Sequence, residues 1–491
     1  MNPLRVLSIA SEVYPLVKTG GLADVAGALP GALKGESVEM RTLVPGYPQV
    51  MAGLETSEPA YAYSELFGGP ARVLAAQGKG LDLFVIDAPH LFDRPGNPYL
   101  GPNGLDWADN AQRFAALARV GADIGKGSIA GFAPDVVHGH DWQGALAPAY
   151  LHYDGGARPG TVLTIHNIAF QGHFPASLLE VLGLPAHAMT IDGVEYFGGV
   201  GFLKAGLQLA DRITTVSPTY AREIMTPEFG MALEGLLVAR AAVVEGIVNG
   251  IDDVVWNPAT DPTLAQNYSA LRIDMRARNR TVLQQRLGLT TSFDAPLFGV
   301  VSRLTSQKGL DLLLGALPYL VAEGAQIGVL GTGEATIELG FAEAQRAYEG
   351  AVGCVFGYNE QVAHLIQGGS DFLVVPSRFE PCGLTQLCAL RYGATPIVAR
   401  VGGLADTVID ANEAALTAGV ATGIQFYPPT PSAFRDALAH ALAFYRDPPT
   451  MRRLRLNGMR ADVSWRGPAK RYAALYQEIV TASAGAAADA A

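Results

Sequence analysis

Arg303 and Lys308 stand five residues apart in Ser302-Arg303-Leu304-Thr305-Ser306-Gln307-Lys308-Gly309, directly after an apolar run and before a helical pattern. A forked guanidinium and a point-charge ammonium, backed by free amides at a helix start, suit a diphosphate. The alternative is a pair of surface cations. Lys18-Thr19-Gly20-Gly21-Leu22-Ala23-Asp24 likewise follows an apolar run. Paired glycines let the backbone approach a ligand, and amides at the helix start favour an anion, with Lys18 adding a mobile charge. An ordinary glycine turn is the competing reading. The stretch is neither Gly-x-Gly-x-x-Gly nor a P-loop, so generic nucleotide motifs do not account for it.

Three further stretches carry polar groups at the ends of apolar runs. In His138-Gly139-His140-Asp141-Trp142, the His-x-His-Asp pattern raises the question of a metal, but no further Cys/His cluster completes a site. An exposed Trp142 beside Asp141 is expected to stack on a sugar ring while the carboxylate binds hydroxyls. His166-Asn167-Ile168-Ala169-Phe170-Gln171-Gly172 reads as binding residues or as a turn capped by Asn167. In Pro376-Ser377-Arg378-Phe379-Glu380-Pro381-Cys382-Gly383-Leu384-Thr385-Gln386, a carboxylate, small polar groups and a glycine precede a helix and can hold sugar hydroxyls and phosphate together. Cys382 has no assigned base and is read as a packed thiol rather than a nucleophile. Gly331-Thr332-Gly333-Glu334 is uninformative alone.

The elements that must position these groups are short apolar runs at residues 5–10, 40–44, 83–87, 135–137, 162–165 and 212–216, then again at 297–301, 326–330, 372–375 and 396–399. Several are continuously apolar, as strands covered on both faces are, and helical patterns alternate with them. The 243–248 run, ending in Asn249-Gly250-Ile251, marks a junction, with 250–290 a polar, irregular lead-in. The pattern predicts two Rossmann-like, doubly wound α/β domains facing a deep interdomain cleft, with ligands beyond the carboxyl ends of the strands. The expected division is 1–245 and 246–459, a helix over 460–480 that the family resemblance below returns to the first domain, and a flexible Ala-rich tail at 481–491.

Composition limits the function classes. The chain has 491 residues, 49% hydrophobic and 16% charged, with 57 Gly and 31 Pro, which suits globular domains with many tight turns. Its formal net charge of −11 carries no nucleic-acid footprint. The 3 cysteines allow no disulfide framework, and neither a signal peptide nor a run of about 18 apolar residues is visible. A reduced, cytoplasmic protein with no membrane or nucleic-acid partner is expected.

Taken in order, Lys18-Thr19-Gly20-Gly21-Leu22, His140-Asp141-Trp142, His166-Asn167, Arg303-Leu304-Thr305-x-Gln307-Lys308-Gly309 and Glu380-Pro381-Cys382-Gly383-Leu384-Thr385-Gln386 resemble the motifs of bacterial glycogen synthases and plant starch synthases. These are retaining glucosyltransferases of the two-domain GT-B fold, and the resemblance spans nearly the whole chain. It implies ADP-glucose as donor, the non-reducing end of glycogen or another α-1,4-glucan as acceptor, and no cofactor. Lys18, Gly20 and Gly21 would hold the donor, and Arg303 and Lys308 its diphosphate. Cys382, Gly383, Leu384 and Thr385 would wall the donor site, and Tyr358 would stack on adenine. Glu380 and Asn249 would fix the glucose, while Asp24, Asp141, Trp142, His166 and Asn167 would line the sugar and acceptor site. Glu380, His166, Arg303 and Lys308 are the implied catalytic set. The sequence contains no Asp-x-Asp, so the two cations rather than a metal are expected to stabilise the leaving diphosphate.

Three alternatives stay open on the residues alone. One is another GT-B activity, such as a UDP-glucose-dependent or sucrose-forming enzyme. A glucan phosphorylase is disfavoured because no lysine has a recognisable pyridoxal-phosphate setting. A two-lobed sugar-binding protein would need neither Arg303 nor Lys308.

Overall fold

Runs of Val, Ile and Leu without a polar face must be covered on both sides, and that requirement builds two mainly parallel sheets. In the computed structural model residues 3–489 are described, with side chains from 3 to 483. The chain divides into two units, Met1–Asn249 with Trp465–Ala491, and Gly250–Ser464. The divisions thus fall a few residues after those expected at 245/246 and 459/460.

The first unit carries β1 (Leu4–Ile9), β2 (Val38–Pro45), β3 (Thr56–Tyr63), β4 (Ala71–Gly78), β5 (Leu81–Asp87), β6 (Val136–His140), β7 (Gly160–Ile165), β8 (His173–Pro175), β9 (Glu195–Tyr196), β10 (Gly199–Gly201), β11 (Arg212–Thr215) and β12 (Val244–Gly246). Nine form one sheet in the order β12-β11-β7-β6-β1-β2-β5-β4-β3. All neighbours are parallel except β5-β4 and β4-β3. The strands β8, β10 and β9 make a small antiparallel sheet. Strands β3 and β4 gave no signal in the sequence. β3, TSEPAYAY, is mostly exposed and carries Pro59, as only an edge strand can.

The second unit is a six-stranded sheet, β13 (Leu297–Val301), β14 (Gln326–Gly331), β15 (Val352–Phe356), β16 (Phe372–Val375), β17 (Thr395–Ala399) and β18 (Ile424–Phe426). Its order is β15-β14-β13-β16-β17-β18, parallel throughout. The order reverses between β13 and β16, as it does between β1 and β6 in the first unit, and loops leaving the carboxyl ends at such a reversal diverge to open a crevice. Residues 302–309 and 376–384 are those loops in the second unit. In the first, the loop after β1 and those after β6 and β7 fill the same role.

Two expectations are corrected. The 250–290 lead-in is not irregular throughout: it contains a 3-10 segment, Ala270–Arg276, and a helix, Ala277–Arg286. Arg276, Asn279, Arg280 and Gln284 are buried there beside Ile273 and Leu283, so the hydrophobic periodicity is too broken to reveal it. Arg276 instead donates to the Tyr392 and Gln367 carbonyls, at 3.1 and 3.0 Å. The final helix, Arg466–Asp489, begins later than expected and continues through most of the predicted flexible tail. Alanine is the strongest helix former, so an Ala-rich stretch extends a helix already nucleated by packing. Residues 490 and 491 lie outside the described residues. Among the described residues no helix is long and apolar enough to cross a membrane.

Candidate active site

In the second unit the loops after β13 and β16 are clipped to each other. Arg378 N–H donates to the Gln307 carbonyl at 2.9 Å, and its guanidinium pairs with both oxygens of Asp311 at 2.7 Å. Gly309, at φ +67°, starts the helix Leu310–Ala322. A Cβ there would sit 2.0 Å from the Pro376 carbonyl oxygen, so only glycine lets the loops approach this closely. Lys308 Nζ then reaches Glu380 Oε2 at 2.5 Å, and Ser377 Oγ donates to the same oxygen at 3.0 Å. Both side chains of the ion pair are largely buried. Arg303 on the same loop is exposed and has no ion pair or side-chain hydrogen bond among the described residues. One fixed and one free cation therefore stand at the carboxyl end of β13.

Glu380 is locked from behind. A Cβ at Gly402 would lie 1.9 Å from the Glu380 carbonyl oxygen, and Gly403 N–H donates to that oxygen at 3.1 Å. Gly383 (φ +72°) and Leu384 precede the helix Thr385–Tyr392, whose first amides have no side-chain cap. Thr385 Oγ1 donates to the Val301 carbonyl at 3.4 Å, tying this helix start to the end of β13. Cys382 is buried, as a packed thiol is. Tyr358 is 75% exposed, and its hydroxyl donates to Glu360 at 3.2 Å.

In the first unit, the loop after β1 is organised by Glu12, which no sequence motif singled out. This buried carboxylate accepts from the Thr19 N–H and hydroxyl, from Gly20 N–H at 3.2 Å, and from Tyr99 Oη. Burial, and then the Glu12 charge, push the Tyr99 hydroxyl well above the usual range. Gly20 caps the helix Gly21–Leu33 with no side chain. Lys18 Nζ pairs with Asp24 Oδ1 at 2.7 Å and lies 5.2 Å over the Tyr14 ring. Asp24, expected to contact sugar, therefore holds Lys18.

Behind β6 and β7 runs a row of buried histidines. His138 meets Tyr476 Oη at 2.8 Å and Thr164 Oγ1 at 2.6 Å. His140 Nε2 lies 3.1 Å from Ser8 Oγ, and its Nδ1 3.0 Å from His166 Nε2. Burial holds all three well below the ordinary imidazole range, His140 at about 3, so each is neutral. Asp141, at φ +50°, accepts the backbone N–H of His166 at 2.7 Å and of Asn167 at 3.2 Å. Its burial outweighs those bonds and raises it to about 7.

One assignment changes. Trp142 is not exposed but 9% accessible, its ring 4.9 Å from Phe114 and 5.8 Å from Phe174. A Cβ at Gly172 (φ +62°) would overlap that ring at 2.3 Å. It is a wall, not a stacking platform. Asn167 Oδ1 accepts from Ala169 N–H at 3.0 Å, the turn-capping arrangement. Asn249 is buried, and its Oδ1 has no hydrogen-bond partner among the described residues, which leaves that oxygen available to a donor. A separate cavity of about 660 Å³, lined by Tyr63, Phe67, Gln112, Arg119 and neighbours, contains none of these residues.

Residues 5–239 match the starch synthase catalytic domain, and residues 289–459 match glycosyl transferases group 1. A glycogen synthase of Rhodopseudomonas palustris is 58% identical over 482 residues, covering 98% of this chain and 99% of its own. The glycogen synthase of Acidiphilium cryptum is 58% identical over 478 residues, 97% of this chain and all of its own. The chain belongs to the glycogen synthase family. It is accordingly a hexosyltransferase of GT-B architecture that transfers glucosyl units in glycogen synthesis.

Among solved structures, the catalytic domain of Arabidopsis thaliana starch synthase IV, bound to ADP and acarbose, matches at 31% identity and a TM-score of 0.88. It covers 98% of this chain and 100% of that one. The sucrose-phosphate synthase of Thermosynechococcus elongatus matches at 16% identity and a TM-score of 0.61, a likeness of fold alone. The Lys308–Glu380 pair, Arg303 and the uncapped helix start at Thr385 follow the carboxyl ends of β13 and β16 in the second unit. The His140–His166 pair and Asp141 stand at the carboxyl ends of β6 and β7 in the first unit.

Proposed function

We propose that the chain transfers glucose from ADP-glucose to the non-reducing end of an α-1,4-glucan, retaining the anomeric configuration, as a cytoplasmic enzyme. The observation that carries this reading is the pairing of one buried, carboxylate-bound cation with one free cation at the carboxyl end of β13. The likeness to a starch synthase bound to ADP and acarbose supports it.

In this reading the bond between glucose C1 and the ADP phosphate oxygen breaks, and the acceptor 4-hydroxyl attacks C1 from the same face. The hydroxyl proton passes to the departing phosphate oxygen, leaving ADP and a glucan one residue longer. Arg303 and Lys308 stabilise the charge that grows on the diphosphate, assisted by the amides of Gly383, Leu384 and Thr385. Lys18, with the backbone of Gly20 and Gly21, adds to that field. Tyr358 stacks on adenine, while Glu380 and the unpartnered Asn249 oxygen bind glucose hydroxyls. Neutral His166 can offer a ring N–H or a lone pair to a sugar hydroxyl but carries no charge to repel the diphosphate's counter-cations. Asp141 positions His166 and Asn167 through their amides.

The test is incubation with glycogen and either ADP-glucose or UDP-glucose, with incorporation measured. Extension from ADP-glucose is expected, and failure to extend with it overturns the donor assignment.

A further inference from the structure

Seven non-glycine residues among those described have left-handed backbone. Of these, Asp141 (φ +50°), Phe197 (+44°), Met231 (+50°) and Ala232 (+69°) gather around the loop from His166 to Gly172. Asp141 holds the start of that loop through the His166 amide. Gln171 Nε2 donates to the Met231 carbonyl at 2.9 Å, and Tyr196 Oη donates to the same oxygen at 3.2 Å. The Tyr196 and Phe197 rings lie 4.7 Å apart, edge to face, and His173 Nε2 meets the Tyr196 carbonyl at 2.8 Å. The result is one connected surface. Phe197 is 73%, Phe170 54% and Met231 42% exposed upon it.

This backbone conformation is disfavoured for any residue bearing a side chain, and large apolar groups gain nothing from standing in water. Held open by hydrogen bonds to a shared carbonyl, they have the form of a binding surface rather than of a packing fault. An α-1,4-glucan presents apolar ring faces edged by hydroxyls, which suits exposed rings interleaved with Gln171 and His173. The surface is also continuous with the loop proposed to line the acceptor site, for Phe170 N–H donates to the Asn167 carbonyl at 3.2 Å. We infer that Phe170, Met231 and Phe197 form a track for the acceptor glucan beyond its terminal residues. The inference rests on the proposed glucan acceptor and extends it to the inner residues of the outer chain.

Phe197→Gly removes the ring while placing at φ +44° a residue that takes that conformation freely, so the fold is expected to hold. Retention in native gels containing glycogen, which needs no donor, should weaken roughly tenfold, the scale of one ring contact. In turnover, KM for glycogen should rise by a similar factor with kcat within about twofold, and KM for maltose should stay unchanged. Phe197→Trp should restore retention. Unchanged glycogen retention overturns the track, as does an equal rise in KM for maltose. A wild-type dimer in sedimentation that Phe197→Gly dissociates also overturns it, by assigning the surface to a second copy of the chain. Normal gel behaviour with no turnover from ADP-glucose counts against the proposed reaction and leaves the track standing.

Discussion

Lys308 and Glu380 neutralise each other at a largely buried position, so removing the lysine has two separable effects. Lys308→Ala is expected to lower kcat by roughly 10²–10³-fold, as loss of one transition-state donor does. It also strands a buried carboxylate, at a cost of about 3 kcal/mol. Lys308→Ala/Glu380→Gln should recover the stability, read by denaturant unfolding, without recovering turnover. Asp141 supplies a pH test. Its carboxyl rises from the usual 3.8 to about 7 because it is buried, so in that window the folded chain binds a proton that the unfolded chain releases. Its contribution is complete below about pH 4 and is lost as pH rises through 7. Asp141→Asn, which keeps an acceptor oxygen, should gain on the wild type over that range in thermal unfolding. The motif residues were legible because cations, glycines and carboxylates at strand ends announce their chemistry by type. Glu12 and the burial of Trp142 were not, since the first is defined by what clamps to it and the second by Phe114, Phe174 and Gly172, distant in sequence.

Single glycines decide how closely elements approach. Gly309→Ala adds a methyl at φ +67° against the Pro376 carbonyl, so the two loops must separate. A loss of at least about 1–2 kcal/mol from the backbone alone is expected, with turnover falling because Lys308 and Glu380 ride on those loops. Unfolding and kcat measured on the same variant check both. Tyr476→Phe removes the hydroxyl 2.8 Å from His138 and should cost about 1–2 kcal/mol, read by thermal unfolding. Parallel strands such as β13, β14 and β16 were visible as unbroken apolar runs. β3, β15 and the small β8–β10 sheet were not, because half-exposed or two- to three-residue strands leave no period to detect.

At the scale of the molecule, each unit has its own sheet and its own core, and the second is one unbroken segment. If ADP binds the second unit, about 100 times its Kd should stabilise that unit by roughly 2.7 kcal/mol. Hydrogen exchange should then slow at residues 302–309 and 376–385 more than at residues 166–172. Uniform protection of both regions would contradict a donor site centred on the second unit. The return of the chain's end to the first unit was expected from the family resemblance, whereas the residues themselves showed only a helical pattern near Trp465. Its destination was set by Trp465, Tyr472, Tyr476 and Ile479 packing with Val6, Val25 and Val136.

That arrangement has a consequence for synthesis. Ile251 pairs with Ser464, so the second unit's two ends are pinned together and it can close on itself as soon as it leaves the ribosome. The first unit cannot: the strip formed by Val6, Val25, Val136 and Val162 waits uncovered while roughly 200 further residues are made. At about 5–20 residues per second that is some 10–40 s of exposure. The first domain to be translated is thus the last to be finished, and a nascent chain halted before Trp465 should be the species that chaperones hold.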